Sequence, residues 1–312
     1  DIVTITGTAG CNVEIHGGAG NDQIDLSALK FGSDKYAVVF GDDGNDIIKG
    51  AETGSSFIFG EGGRFKSSAN DTIAESYPTD KSSGNNVIVA NGGKNYVFGG
   101  FGNDFIVGSS GVDYIFGDGG RITIGAAPAQ GNKNNTSFDR YDLFDEGDYD
   151  VIFGGNGDDV LLGGAGSDTI DGGAGVDEIH AGMGNDVVYG GSGTDKIYGD
   201  DGVDVIFGDK PANTTMTIAQ NTAQEVLPYA YVSYELEKDA SLLKDSDSIK
   251  LFGFATKFKN RNADALSDCQ KNLINTLVNG VADSGSSDDD EIYGGNGSDI
   301  IFGDDGADGA SA

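Results

Sequence analysis

Six nonapeptides follow one another without a gap: GGNGDDVLL from Gly154, GGAGSDTID from Gly163, GGAGVDEIH from Gly172, AGMGNDVVY from Ala181, GGSGTDKIY from Gly190 and GDDGVDVIF from Gly199. Further copies are GGAGNDQID from Gly17, GDDGNDIIK from Gly41, GGFGNDFIV from Gly99, GSSGVDYIF from Gly108 and GGNGSDIIF from Gly294. The rule is G-G-x-G-x-D-x-U-x, where U is a large aliphatic residue. Self-similarity at so short a period makes each unit one small piece of a stacked array, because a nine-residue unit cannot bury its apolar residue alone.

The spacing dictates what each position does. A three-residue strand points its middle side chain inward and its neighbours outward, so one U per repeat suits a thin core between two sheets. Ile170, Ile179, Val188, Ile197 and Ile206 are the expected core residues, and their β-branching favours strands. Glycine at positions 1, 2 and 4 lets the turn reach positive φ and bring carbonyl oxygens inward. Aspartate at position 6 ends the turn and adds charge. Six to eight oxygens at flexible geometry are what a calcium ion takes, and carbonyls with carboxylates supply that set. Without an ion, stacked turns would hold aspartates against one another, and the small core would not offset the entropy of ordering so much glycine. With one, binding free energy becomes folding free energy.

These motifs resemble the hemolysin-type calcium-binding repeats of the RTX family, over most of the chain apart from a few insertions. The resemblance implies an all-β fold, a right-handed parallel β-roll (a β-solenoid) in which two nonapeptides make one turn, with GGxGxD as turn and xUx as strand. It implies several Ca2+ ions between successive turns, each bridging position-6 aspartates two repeats apart on one edge. In the central block those pairs are Asp150/Asp168, Asp159/Asp177, Asp168/Asp186, Asp177/Asp195 and Asp186/Asp204. Across insertions they are Asp113/Asp159 and Asp204/Asp299. The candidate ligands are Asp22, Asp46, Asp104, Asp113, Asp150, Asp159, Asp168, Asp177, Asp186, Asp195, Asp204, Asp290, Asp299 and Asp308. Carbonyls are expected from Gly155, Gly157, Gly164, Gly166, Gly173, Gly175, Gly182, Gly184, Gly191 and Gly193. Two turns carry Asn86 and Asn95 instead, and weaker binding is expected there because ligand charge tunes affinity.

Composition sharpens the choice of partners. The 312 residues hold 51 acidic against 19 basic side chains, a net charge of −32, with 53 glycines and four prolines. Such charge disfavours nucleic acid and anionic membranes and favours cations. No run approaches the length of a membrane span and no signal-peptide pattern opens the chain, so no membrane insertion is expected. The two cysteines, Cys11 and Cys269, make no disulfide framework and are expected as buried thiols. A first residue Asp1 and a last stretch IFGDDGADGASA suggest a piece of something longer.

Insertions interrupt the pattern after IFGE at Glu61 and after IFGD at Asp118 and Asp209. The expected organisation is an N-terminal roll over 1–118 with a short turn insertion at 61–69, a loop insertion at 119–147 and a core roll over 148–209. A small α+β lobe follows over 210–287, and C-terminal repeats occupy 288–312. Because insertions lie within turns, one continuous roll is expected. In the lobe, Tyr229–Lys238 and Asp247–Phe258 read as strands of a hairpin, and Asn262–Gly280 as an amphipathic helix.

No catalytic constellation stands out, and no enzyme is expected. His16 and His180 fall on outward strand positions. Position 9 carries Phe98, Phe116, Phe153, Tyr189, Tyr198, Phe207, Tyr293 and Phe302, which either pack across strands under the inserted lobes or form a stripe for a partner or a glycan. The resulting reading is a secreted or cell-surface calcium-binding segment, structural or adhesive, within a larger protein exported by type I secretion. Two other classes stay open: a self-assembling surface-layer or filament subunit that contacts neighbouring copies, and the noncatalytic tail of a secreted hydrolase or toxin.

Overall fold

The computed structural model describes residues 1–32, 34–68, 71–76, 84–125, 136–140, 149–209, 214–220, 230–236, 289–297, 299–302 and 309–311. Among them every regular element is a strand. Repeat by repeat, the strands alternate between two ten-stranded parallel sheets. Val151–Asn156, Thr169–Ala174, Val187–Ser192 and Val205–Phe207 lie in the first sheet, and Val160–Ala165, Glu178–Met183, Lys196–Asp201 and Glu291–Tyr293 in the second. The register advances by two nonapeptides per step, with Ile152 against Ile170, Ile170 against Val188 and Val188 against Ile206. This is a parallel β-roll.

The U positions meet in the narrow interior. Ile24, Ile48, Ile88, Ile106, Ile152, Ile170, Val188 and Ile206 of the first sheet join Ile58, Val97, Ile115, Leu161, Ile179, Ile197 and Ile292 of the second in one buried cluster. Burying one such side chain contributes roughly 1.5–3 kcal/mol. Ordering nine backbones opposes it by on the order of 10 kcal/mol. The turns must therefore contribute to stability as well as connect the strands.

The register is unbroken where the repeat is interrupted. Ile106 pairs with Ile152 and Ile115 with Leu161 on either side of one insertion. Ile197 pairs with Ile292 and Ile206 with Ile301 on either side of another.

The first two insertions are larger and more ordered than the sequence suggests. The expectation that the repeat resumes at Asn70 is wrong. Asp71–Ser76 pairs antiparallel with Gly63–Ser67, and the roll resumes at Val87–Val89, beside Ile47–Lys49. Thr72-Ile73 imitates a repeat locally, but the glycines that would turn it into the roll are missing. Nor is 119–147 simply a loop. Gly120–Gly125 pairs with Asp71–Ser76 on one side and Thr136–Arg140 on the other. Two insertions thus combine into one four-stranded antiparallel sheet.

That sheet caps the outer face of the second sheet. Ala74 and Ile122 share a buried cluster with Phe40, Phe57, Phe59, Tyr96, Phe98, Tyr114 and Phe116, and Phe65 and Ile124 pack at its margin. The rings stack along the roll axis: Phe40 on Phe59 at 4.6 Å, Phe59 on Phe98 at 5.0 Å and Phe98 on Phe116 at 4.9 Å between centroids. Phe98 and Phe116 are therefore packing residues under an inserted element. On the first sheet Phe153, Tyr189 and Phe207 are also buried, with Tyr189 on Phe207 at 4.9 Å. Tyr198 and Tyr293 stack at 5.0 Å and stay half-buried. The side chain of Phe302 lies outside the described residues.

In the third insertion, Ala230–Leu236 is a strand as expected, but its antiparallel partner is Thr214–Gln220. Residues 247–258, the expected helix at 262–280 and Cys269 lie outside the described residues. Cys11 is exposed, against the expectation of a buried thiol, because it sits in the turn between Ile2–Ala9 and Val13–Ala19.

Candidate metal centres

Parallel stacking puts position 6 of each repeat beside position 6 two repeats on, at the entry to each strand. Two files result. Along the first sheet run Asp22, Asp46, Asn86, Asp104, Asp150, Asp168, Asp186, Asp204 and Asp299, and along the second Asn95, Asp113, Asp159, Asp177, Asp195 and Asp290. In each step the backbone N–H of one member donates to Oδ1 of the next. The N···O distances are 2.7–3.1 Å along the first file. They are 2.7–2.9 Å along the second. The steps Asp104 to Asp150, Asp113 to Asp159, Asp195 to Asp290 and Asp204 to Asp299 cross insertions. At the start of the first file the amino terminus of Asp1 donates to Asp22 Oδ1.

One carboxylate oxygen is thereby used; the other is not. Oδ2 of Asp22, Asp46, Asp150, Asp159, Asp177, Asp195 and Asp204 is shut away from solvent with no hydrogen-bond donor. Leaving a buried acceptor unpaired is costly, and leaving an anionic one more so. Its neighbours are backbone carbonyls. A Cβ placed on Gly154 would lie 2.8 Å from Asp159 Oδ2 and 2.3 Å from the carbonyl oxygen of Gly172. A Cβ on Gly172 would lie 2.6 Å from Asp177 Oδ2 and 2.3 Å from the oxygen of Gly190.

Glycine at positions 2 and 4 stacks further carbonyls in the same columns. All ten of Gly155, Gly157, Gly164, Gly166, Gly173, Gly175, Gly182, Gly184, Gly191 and Gly193 have positive φ, from 101° to 149°. A Cβ at Gly175 would fall 1.8 Å from the oxygen of Gly157, and at Gly193 1.5 Å from that of Gly175. Only glycine permits both the dihedral and the approach.

Burial pushes these carboxyls upward. Asp159 rises to about 9, Asp46 and Asp195 to about 8 and Asp177 to about 7, with the neighbouring acids adding to desolvation in every case. Asp150 is raised well above the ordinary carboxylate range by burial and by Asp168, Asp104 and Asp118. Asp113 reaches only about 6, because burial is opposed by hydrogen bonds from Ser109 and Asn95. Asp204 also rises to about 6, because burial and the acids around it are opposed by the hydrogen bond from the Asp186 backbone.

Anionic oxygens facing carbonyl oxygens, with no donor between them, fit a hard cation bound through oxygen. Among the described residues no three His, Cys, Asp or Glu side chains converge to hold a metal by themselves, so backbone carbonyls would complete each site. Asp290 is buried in the second file and Asp299 half-buried in the first. Asp308 lies outside the described residues.

The asparagine turns differ in kind. Asn86 Oδ1 accepts from the N–H of Asp46 at 2.9 Å, which fixes its Nδ2 as the group facing the turn carbonyls. That nitrogen donates to Gly84 at 3.3 Å and Gly99 at 3.5 Å. Asn95 Nδ2 donates to the carbonyls of Asn91 at 2.9 Å and Gly93 at 2.8 Å and to Asp113 Oδ1 at 2.9 Å. The expectation of weakened calcium sites overlooks that an amide can be the donor an aspartate lacks.

Sequence reasoning also overlooked the surroundings of the histidines. His16 lies 3.4 Å from Glu14 and 3.2 Å from Asp42 and stacks on Phe40 at 4.6 Å. His180 lies 3.4 Å from Glu178 and 3.6 Å from Asp200 and stacks on Tyr198 at 4.5 Å. Asp42 and Asp200 occupy position 2 with φ of 65° and 66°, a region aspartate tolerates. The visible signal was the doubled pattern E-I-H followed one roll turn later by G-D-D.

The sequence profile of the RTX calcium-binding nonapeptide repeat, in its four-copy form, matches residues 4–28, 82–106, 89–121, 146–179, 153–188, 180–210 and 284–310, together about half of the chain. The stretches it leaves out, 29–81 and 122–145 among them, include most of the two insertions that build the cap. A comparison with curated proteins finds no match.

Proposed function

This chain belongs to the RTX calcium-binding nonapeptide repeat family, and from that membership we propose that it is an extracellular, non-enzymatic β-roll segment that folds and stiffens on binding Ca2+. The observation that carries the proposal is the row of buried aspartate oxygens without donors, each set against stacked glycine carbonyls. Calcium, when bound, supplies positive charge among oxygens that have no proton to share.

The chain's own groups divide the work. Asp22, Asp46, Asp104, Asp150, Asp168, Asp186, Asp204 and Asp299 would hold ions along the first sheet, and Asp113, Asp159, Asp177, Asp195 and Asp290 along the second. Oδ1 fixes the backbone N–H of the preceding turn, or at Asp22 the amino terminus, and Oδ2 of Asp22, Asp46, Asp150, Asp159, Asp177, Asp195 and Asp204 is left for the ion. Glycines at positions 2 and 4 present their carbonyls, and the aliphatic file sets the spacing between turns. Oxygen sites of this kind in extracellular modules bind calcium at about 10⁻⁴–10⁻³ M, so the aspartate turns of such a segment stay unordered at cytosolic calcium and order after export. Among the described residues no helix is long and apolar enough to cross a membrane. The carboxylates run in long files rather than converging on one open site, which favours a structural or adhesive role over catalysis.

Far-UV circular dichroism of the EDTA-stripped chain during a calcium titration tests the proposal. A cooperative gain of β signal at submillimolar to millimolar calcium is expected. A chain already β-rich throughout and indifferent to calcium overturns it.

A further inference from the structure

The two files differ in how far aspartate extends along them. In the second sheet the register carries position 6 backward from Asp113 to Asn95, Ser56, Ala37 and Val13. Not one of those four is acidic. Over the same span the first file is interrupted by Asn86. The asparagine nitrogens stand where carboxylate oxygens stand elsewhere. A Cβ on Gly60 would lie 2.6 Å from Asn86 Nδ2, as one on Gly41 would lie 2.4 Å from Asp46 Oδ2. Asn95 Nδ2 holds the position-2 and position-4 carbonyls of its own turn, Asn91 and Gly93. These are the counterparts of Gly155 and Gly157. The residues of these turns do not fit a calcium ion, because an N–H donor already occupies the place among the oxygens.

The same span also carries the aromatic cluster that lies under the inserted sheet. The four-stranded cap buries the stack Phe40–Phe59–Phe98–Phe116 and the second stack of Phe57 on Tyr96, at 4.6 Å. Each buried aromatic side chain contributes at least as much as one U residue does, and stacking adds to it.

We propose that the second sheet from Tyr36 to Phe116, with its cap, is a calcium-independent nucleus built into the roll, in which the amides of Asn86 and Asn95 replace the ion. The repeats after it, from Asp150 onward, order on this template only when calcium is bound. This rests on the calcium-folding reading of the aspartate turns. It makes the chain a partly preformed array that lengthens with calcium rather than one that folds from nothing.

Hydrogen exchange of the full chain, read by mass spectrometry in EDTA and in excess calcium, tests it within one sheet. In EDTA, amides of 55–59, 95–98 and 113–116 are expected to exchange at least about tenfold more slowly than those of 178–183 and 196–201, which lie beyond the capped cluster, and in calcium both sets are expected to be protected. Equal, rapid exchange of both sets in EDTA overturns the nucleus and leaves calcium-driven folding intact. Equal, slow exchange in EDTA overturns calcium-driven folding and the proposed division with it. Asn95→Asp sets a carboxylate oxygen against Asn91 and Gly93, so in this variant protection of 95–98 is expected to be lost in EDTA and restored by calcium. Unchanged protection in EDTA counts against the amide's role. If the variant folds in neither buffer, the wild-type comparison decides alone.

Discussion

Replacing Asp177 by asparagine should have opposite effects with and without calcium. In the ion-free fold burial lifts its carboxyl from an ordinary 3.8 to about 7. A folded-state pKa above the unfolded value means that the fold binds the proton more tightly. Ion-free stability is therefore highest below pH 4, falls as pH rises toward 7 and is flat above that. At about 1.36 kcal/mol per pH unit, ionising this one buried group costs about 4 kcal/mol at pH 8, a large share of a typical domain's margin. Asparagine keeps Oδ1 to accept the N–H of Asp159, which lies at 2.8 Å, and presents Nδ2 to the carbonyls as Asn86 and Asn95 do. Asp177→Asn should therefore recover up to about 4 kcal/mol in EDTA at pH 8. Its stability curve should be flatter by up to about 1.4 kcal/mol per pH unit below pH 7. In saturating calcium it should be less stable than wild type, having lost a charged ligand. Since these repeats order only with calcium in the wild type, the gain in EDTA is read as recovered β signal in circular dichroism from pH 5 to 8, and the loss in calcium by urea unfolding. If the variant gains no β signal in EDTA and is as stable as wild type in calcium, the carboxylate is an ordinary turn former and the ion-ligand reasoning fails.

Three further outcomes follow from other parts of the fold. Gly175→Ala forces a Cβ within 1.8 Å of the Gly157 oxygen at φ 149°. In calcium this variant should lose on the order of 3 kcal/mol in thermal unfolding, and a loss below about half a kcal/mol contradicts the carbonyl column. Phe98→Ala empties a fully buried place in the ring stack. It should lose about 3–5 kcal/mol of cap stability with calcium or without it, judged by exchange of 95–98 in both buffers. His180 should titrate above the usual 6.5 in calcium, followed by NMR; burial opposes its charge, but hydrogen bonds to Asp200 and Glu178 outweigh it. Its contribution should accordingly be present below pH 6.5 and fade as pH rises through the folded value.

The parts of this fold set by local period were legible, and those set by long-range pairing were not. The nonapeptide rule located the core residues Ile170, Ile179, Val188, Ile197 and Ile206 and set the central aspartates in pairs two repeats apart, because U and Asp each do one job at one position. Asp71-Thr72-Ile73 was misread because a three-residue strand looks the same whether it enters the roll or an antiparallel cap. The cap itself joins residues 63–67 and 71–76 to residues 120–125 and 136–140, and no local pattern marks such a pairing. At Asn86 and Asn95 charge was read and hydrogen-bond capacity was not, although the loss of a charge and the gain of a donor come in the same side chain.

The position of the insertions follows from the architecture of the files. Each site needs a backbone N–H from one aspartate and a carboxylate from the next, and both belong to the strand entry rather than to the turn before it. Extra chain placed after position 2 leaves the strand, its entry aspartate and the ladder bond intact. The bonds from Asp113 to Asp159 at 2.7 Å and from Asp195 to Asp290 at 2.8 Å are as short as the uninterrupted ones. A detour at that point adds only loop entropy, which grows slowly with length. An insertion between position 6 and position 9 would instead break the parallel ladder and push a core residue out of register, which turns every side chain beyond it to the wrong face. The roll therefore accepts these insertions in the turn ahead of the entry aspartate. Two detours that leave the second sheet on either side of Asn95–Phe98 can then meet, as 63–76 and 120–125 do, to build a second layer over the sheet they interrupt.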